Sequence, residues 1–411
     1  MLNDVGARAV SALGFAVIIA LAWVVSCDRR HVPWRTVAWG AGLQLALGVL
    51  LLKTPVGVWF FRGMNAVVSA LVSYTDVGVR FVFGALADTG FSFAIHVLPI
   101  IVIMGGLFGV LYHLGILQRV VDVLARALSR SMSTSGAESL GAVANLFVGM
   151  TESALIVRPY LEHMTRSELF TLMTLGMATV AGSVMLAYVG MLGGGDYAGH
   201  LATASLLSAP AGILVAKVML PERETPETHA GAHTRIEKPA TNAIDAIALG
   251  ALAGARLAAY VGAMLLAFVA LIAMINDGLA GVGAWVGIAD LTLQRALGAL
   301  LAPLAWLMGV PWEDAASVGS LLGIKTVLNE FLAYKDLADL VSAGALAPRS
   351  AVIASYALCG FANFGSLAIL LGGLGGLVPS RRAEVARLGF RSIVSGSLAT
   401  FMTACVAGML L

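Results

Sequence analysis

Long apolar runs separated by short polar breaks make up most of this 411-residue chain. A helix crossing a bilayer needs about 20 predominantly apolar residues. Runs near that length lie at 10–26, 35–53, 93–117, 168–192, 197–217, 256–286, 350–376 and 388–411. They predict an all-α integral membrane protein of about eight transmembrane helices. Residues 54–88 break the pattern, because Trp59, Phe60, Phe61 and Phe81 interleave with Arg62, Asp76, Arg80 and Asp88. That mixture predicts a helix lying at the membrane interface. The first run is followed by Cys27-Asp28-Arg29-Arg30 rather than by a small-residue cleavage site, so it reads as a retained span.

The two halves carry matching irregularities. Residues 138–153 (ESLGAVANLFVGMTES) are too short and interrupted for a clean span, and 316–331 (ASVGSLLGIKTVLNEF) have the same length and texture. Glu152 and Glu330 hold equivalent places in them. Downstream, ATVAGSVML (178–186) pairs with FANFGSLAI (361–369), which aligns Gly182 with Gly365 and Ser183 with Ser366. Paired, broken apolar segments are the mark of inverted-repeat transporters. Each half is therefore expected to supply a re-entrant hairpin followed by a broken helix. Residues 1–92 hold the N-terminal spans and interfacial helix, 93–220 the first repeat, 221–243 a flexible cytoplasmic linker, and 244–411 the second repeat.

Composition supports the membrane reading. Apolar residues are 59% and charged residues 12% of the chain, and mean hydropathy is +0.91; soluble domains carry about 25% charge. Net charge is +2 with no dense basic run, which argues against nucleic acid as a partner. Cys27, Cys359 and Cys405 are scattered and imply no disulfide framework. The basic clusters around Arg29–Arg35, Arg119–Arg130, Arg158–Arg166, Lys217–Lys238 and Arg381–Arg391 fall on one side of an eight-span topology. The positive-inside rule makes that side cytoplasmic and puts both termini outside. His229 and His233 in the linker have a helical metal-ligand spacing, but without a third ligand nearby they read as solvated.

Candidate chemistry gathers at the irregular segments. A carboxylate at mid-bilayer costs on the order of 3 kcal/mol or more and is usually functional, which singles out Glu152 and Glu330. The plainer alternative pairs them with Arg158 or Lys325 to hold the hairpins. Asn145, Thr151, Asn329 and Asn363 are either binding groups or interhelical hydrogen-bond donors. Ser183 and Ser366 suit packing as well as binding, and Phe361 beside Asn363 suits either core or a flat polar ring.

The segments NLFVGMTESALIVRPYL (145–161), GMATVAGSVMLAY (176–188), GIKTVLNEFLAY (323–334) and SYALCGFANFGSLAILLGGL (355–374) resemble the concentrative nucleoside transporters, in order, from about residue 90 onward. The resemblance implies eight transmembrane helices, two re-entrant hairpins and interfacial helices in a homotrimer, with a mobile transport domain working as an elevator against a scaffold of the third and sixth spans. It implies a secondary symporter importing nucleosides across the plasma (bacterial inner) membrane on a sodium gradient, with no organic cofactor. By motif, Glu330, Asn363 and Ser366 would hold ribose hydroxyls and Phe361 would pack on the substrate ring. Gly149, Met150, Thr151 and Glu152 would face the nucleobase, with Val184 lining its pocket. Asn145, Val148, Thr179 and Val180 would bind sodium. Where the family commonly reads GQTE this chain has Gly149-Met150-Thr151-Glu152, so base recognition is expected to differ. Its ANFSS pattern is here Ala362-Asn363-Phe364-Gly365-Ser366, and Thr179 stands in for a usual Ser. Competing readings are proton coupling, another ribosyl compound as cargo, a channel, and an intramembrane enzyme using Glu152 and Glu330 as acid and base.

Overall fold

A computed structural model describes residues 2–88, 92–194, 197–228, 240–287 and 291–411; His229 and His233 lie outside them. The described residues form eighteen α-helices and no strand. Three come first: α1 (Leu2–Val24), α2 (Trp34–Lys53) and α3 (Pro55–Phe83). The first repeat follows as α4 (Phe93–His96), α5 (Leu98–His113), α6 (Ile116–Met132), α7 (Gly136–Val148), α8 (Met150–Ile156), α9 (Arg166–Ala178), α10 (Gly182–Met191) and α11 (Tyr197–Met219). The second is α12 (Ala243–Val286), α13 (Leu293–Leu307), α14 (Trp312–Val327), α15 (Glu330–Ser342), α16 (Pro348–Leu358), α17 (Phe364–Leu377) and α18 (Arg382–Leu410). From α5 and from α12 onward the two series run in step, element for element.

Local sequence explains the breaks. The first hairpin, α7–α8, opens on a capping box in which the Ser135 hydroxyl accepts from Glu138 N–H and the Glu138 carboxylate from Ser135 N–H. It turns at Gly149, whose φ of +94° no side-chain-bearing residue adopts without strain. The second hairpin, α14–α15, turns at Leu328-Asn329, where the Asn329 side chain accepts from Leu332 N–H at 2.9 Å and caps α15. The broken helix α9/α10 unwinds over 179–181, and α16/α17 over 359–363. These breaks meet at Gly360, where an added Cβ would come within 2.9 Å of the Met177 carbonyl oxygen.

Among the described residues eight helices have the length and apolar composition of a span, the number expected. Residues 350–376 form two helices of 11 and 14 residues, the broken segment expected of the second repeat and the counterpart of α9/α10 in the first. Pro55–Asp88, expected at the interface, is long and apolar enough to cross. Its charges are clustered, since exposed Arg80 donates to Asp76 at 2.9 Å and to Asp88 at 2.7 Å. α6 is amphipathic, burying Leu117, Val121, Ala125 and Met132 and exposing Arg119, Arg126 and Arg130. A further helix precedes each hairpin, α6 in the first repeat and α13 in the second. The latter folds back on α14 with a bend of 116°.

Close packing follows the glycines. The axes of α5 and α12 approach until a Cβ on Gly254 would lie 2.6 Å from the Ile101 carbonyl oxygen, the small-residue contact typical of membrane helices. At one end of the molecule the basic segments converge. Arg223 pairs with Asp28, Cys27 N–H donates to Met219 O at 2.9 Å, and Arg381 donates to Leu161 O at 2.9 Å and Met164 O at 2.6 Å. The start of the linker is docked there rather than flexible. Thr228 O accepts from Gly136 N–H at 3.0 Å, and its hydroxyl from Ala137 N–H at 3.1 Å, satisfying two free amides at the start of α7.

Candidate functional site

The second hairpin aims a carboxylate into the middle of the fold. Glu330 is the first residue of α15, where the helix dipole favours negative charge. It is 3% exposed, so its oxygens must be satisfied locally. The Tyr188 hydroxyl on α10 donates to Oε1 at 2.9 Å, and Asn363 Nδ2 donates to Oε2 at 2.6 Å. Asn363 is fixed in turn by capping α17, its Oδ1 accepting from Ser366 N–H at 2.7 Å. Tyr188 is held by stacking on Tyr334, with centroids 4.3 Å apart, and by an edge contact to Phe331 at 4.9 Å.

These bonds set aside one pairing read from the sequence for Glu330. Lys325 does not pair with it: its ammonium donates to Ala357 O at 2.7 Å and to Thr400 Oγ1 at 3.0 Å. Nor does an ion pair join Glu152 to Arg158 among the described residues. Glu152 is open, and the neighbouring Thr151 hydroxyl donates to it at 2.8 Å.

A cavity of about 1390 Å³ runs between the two repeats. Its hairpin side carries Gly149, Met150, Thr151, Glu152, Asn329 and Glu330, with Ser183 and Val184 from α10 and Phe361, Asn363 and Ser366 from the second break. Gly105 and Phe108 of α5 and Gly254 and Leu257 of α12 face them. All nine residues singled out for substrate thus border one space, although they come from four separate segments of chain. A pocket holding one small ligand is about 300–1,000 Å³, so this is a cleft with room beyond a single ligand.

The four residues singled out for a cation lie behind the first hairpin, and Val148 alone among them also borders the cavity. Asn145 Nδ2 donates to Leu175 O at 2.7 Å and Thr179 Oγ1 at 2.5 Å, and the Thr179 hydroxyl donates to Leu175 O at 2.9 Å. Ser153 Oγ reaches Asn145 Oδ1 at 3.3 Å, and Ser205 reaches Val180 O at 3.4 Å. Two helix C-termini, Val148 of α7 and Ala178 of α9, end here. The Asn145 amide nitrogen faces Leu175 O and Thr179 Oγ1, while its oxygen accepts from Ser153; a hydroxyl and backbone carbonyls at helix ends and an unwound segment supply the oxygen atoms nearby.

Tyr188 and Lys325 were not singled out by the sequence as functional. A tyrosine six residues past the Gly182 break, in an otherwise apolar helix, was the available signal for the first.

The description "Na+ dependent nucleoside transporter C-terminus" matches residues 200–408, its N-terminal counterpart 13–86, and "Nucleoside recognition" 94–195. An uncharacterized transporter of Haemophilus influenzae is 47% identical over 407 residues, covering 97% of both chains. The nucleoside permease NupC of Helicobacter pylori is 42% identical over 410 residues, 97% of both. The structure of CNTnw in an inward-facing substrate-bound state superposes with a TM-score of 0.91 at 45% identity, covering 98% of both chains.

Proposed function

The chain belongs to the concentrative nucleoside transporter family, plasma-membrane transporters rather than enzymes, and on that premise we propose that it imports nucleosides by symport with sodium, holding the ribose at Glu330. The observation that carries this reading is the clamped carboxylate. An ionised carboxylate offers about four lone-pair sites. Tyr188 and Asn363 occupy two of them, leaving one on each oxygen for a vicinal diol. Such charge-assisted bonds are strong, and a site built to receive hydroxyls discriminates sharply against analogues that lack them. Ser366 sits beside the pair and Phe361 offers an apolar face to the flat ring.

At the other end of the cavity, Gly149, Met150, Thr151, Glu152 and Val184 would meet the base. The thioether of Met150 cannot replace an amide as a two-way hydrogen-bonding group, so selectivity there would rest on Thr151, Glu152 and shape. Sodium is read as the co-transported ion. With the Asn145 amide turned so that Oδ1 faces inward, it would join Thr179 Oγ1 and the carbonyls of Val148 and Val180 around the ion. The match to Na+-dependent family descriptions supports the same ion.

In this reading α5 and α12 are the static scaffold, and the hairpins with the broken helices travel past them as an elevator. The assembly would be a homotrimer; Leu252, Leu266 and Met274, exposed on α12, offer apolar surface for contact between copies or with lipid. The test is uptake of labelled uridine into proteoliposomes under an imposed sodium or proton gradient. Saturable uptake that requires inward sodium is expected. Uptake that follows protons and ignores sodium would remove the ion assignment, and no nucleoside uptake under either gradient would remove the function.

A further inference from the structure

The second repeat contains a counterpart of the proposed cation site, and a side chain fills it. In the first repeat, α7 and α9 end together, and Asn145 near the end of α7 bonds Leu175 O in the last turn of α9. Ser205 of the following helix, α11, reaches the unwound segment. In the second repeat the equivalent helices α14 and α16 end at Val327 and Leu358. Lys325, in the last turn of α14, bonds Ala357 O in the last turn of α16 at 2.7 Å. Thr400 of the following helix, α18, supplies a hydroxyl at 3.0 Å. By the alignment of the repeats Lys325 lies two residues past the counterpart of Asn145 and Ala357 one before that of Leu175, while Thr400 lies twelve past that of Ser205, so the helices correspond and the hydroxyls they supply do not.

Lys325 is fully buried, and among the described residues no carboxylate lies within ion-pair distance of it. A buried, unpaired ammonium is costly and needs electronegative surroundings. Here the carbonyl ends of two helices supply them, with the Phe401 ring centroid 5.8 Å from the nitrogen. These are the kinds of group that, in the first repeat, are read as receiving sodium.

We infer that the Lys325 ammonium is a tethered cation filling the second repeat's counterpart of the ion site, so that one mobile cation accompanies each nucleoside. The inference rests on the sodium reading of the first repeat for its account of stoichiometry. The charge itself has a structural task as well, since it draws the ends of α14 and α16 together beneath Glu330 and the Asn363 break.

The experiment uses the full-length protein and two variants. Lys325→Asn shortens the side chain and leaves oxygen ligands with room for an ion, whereas Lys325→Met fills the same space without charge. Uridine uptake is measured against sodium concentration in proteoliposomes, and Tm with and without sodium. The order of sodium dependence reports the number of coupled sites. It is expected to be about 1 for the unaltered protein and to rise toward 2 in Lys325→Asn, with a sodium-dependent gain in Tm larger than the unaltered protein shows. Lys325→Met should lose at least about tenfold in uptake without gaining sodium dependence.

First-order dependence together with an unchanged Tm response in Lys325→Asn would overturn the inference. So would normal uptake by Lys325→Met, or failure of Lys325→Asn to fold in saturating sodium, because a replaceable charge must be replaceable by the ion. Should the unaltered protein prove independent of sodium, the first-repeat assignment falls. A gain of sodium-dependent Tm confined to Lys325→Asn would still support the second-repeat site, so the two failures are distinguishable.

Discussion

The two hairpins present acidic residues to the same cavity in different ways. Glu330 is buried and takes hydrogen bonds from two other elements, α10 and the α16/α17 break. Glu152 is open to the cavity and takes a hydrogen bond from its neighbour Thr151. The first is a preorganised group, whose partners cost no reorganisation when a ligand arrives; the second can adapt. On the proposed reading, the first would be the fixed end that receives the sugar and the second a permissive end for the base.

The comparison breaks most visibly at the fixed end. Glu330→Gln replaces a charged acceptor with a group that puts a donor where a ribose hydroxyl must donate. Loss of two charge-assisted bonds at ~1.5–3 kcal/mol each predicts at least about a hundredfold fall in uptake efficiency. Unaltered uptake would take Glu330 out of the site. Next comes Asn145→Ala, behind the adaptable hairpin. It should abolish the sodium dependence of uptake and lower rates by about tenfold or more, as expected when a ligand to a coupled ion is lost; an unchanged sodium profile would mean that the ion binds elsewhere.

Tyr188→Phe separates orientation from charge. It removes one donor to Glu330 but keeps the stack on Tyr334. A cost of ~1.5 kcal/mol predicts about a tenfold higher KM for uridine, with the base preference unmoved. A shift in base preference would contradict the division of labour. The smallest effect is expected at the permissive end. Met150→Gln should change the ranking of uridine against adenosine by a few-fold, roughly 1 kcal/mol, measured by competition, while leaving affinity for the sugar alone.

Much of this was legible in the sequence because the repeat is written in apolar pattern and small residues. Gly149, Asn329 and the 359–363 stretch mark the breaks directly, and the nine substrate candidates fall on one cavity because both repeats place them beside those breaks. What could not be read are contacts made by tertiary crossing. Tyr188 meets Glu330 across 142 positions of chain, and neither residue's local pattern names the other. Lys325 invited pairing with Glu330 because it lies five positions away, yet its rotamer runs to Ala357 and Thr400 instead. The arginines of α6 dominate its sequence, and only the four-residue spacing of Leu117, Val121 and Ala125 reveals the buried stripe. Residues 55–88 combine the mixed charges of an interfacial helix with an apolar length that would also suffice for a span.

The most direct test of the central claim, that Glu330 reads the sugar hydroxyls, is competition against labelled uridine uptake by 2′-deoxyuridine and 3′-deoxyuridine. It is run on the unaltered protein and on Glu330→Asp, which keeps the charge but withdraws it. The account predicts that removing a hydroxyl facing Glu330 weakens competition by about tenfold or more, and that Glu330→Asp shrinks this difference. Equal competition by uridine and both deoxy compounds on the unaltered protein would contradict it.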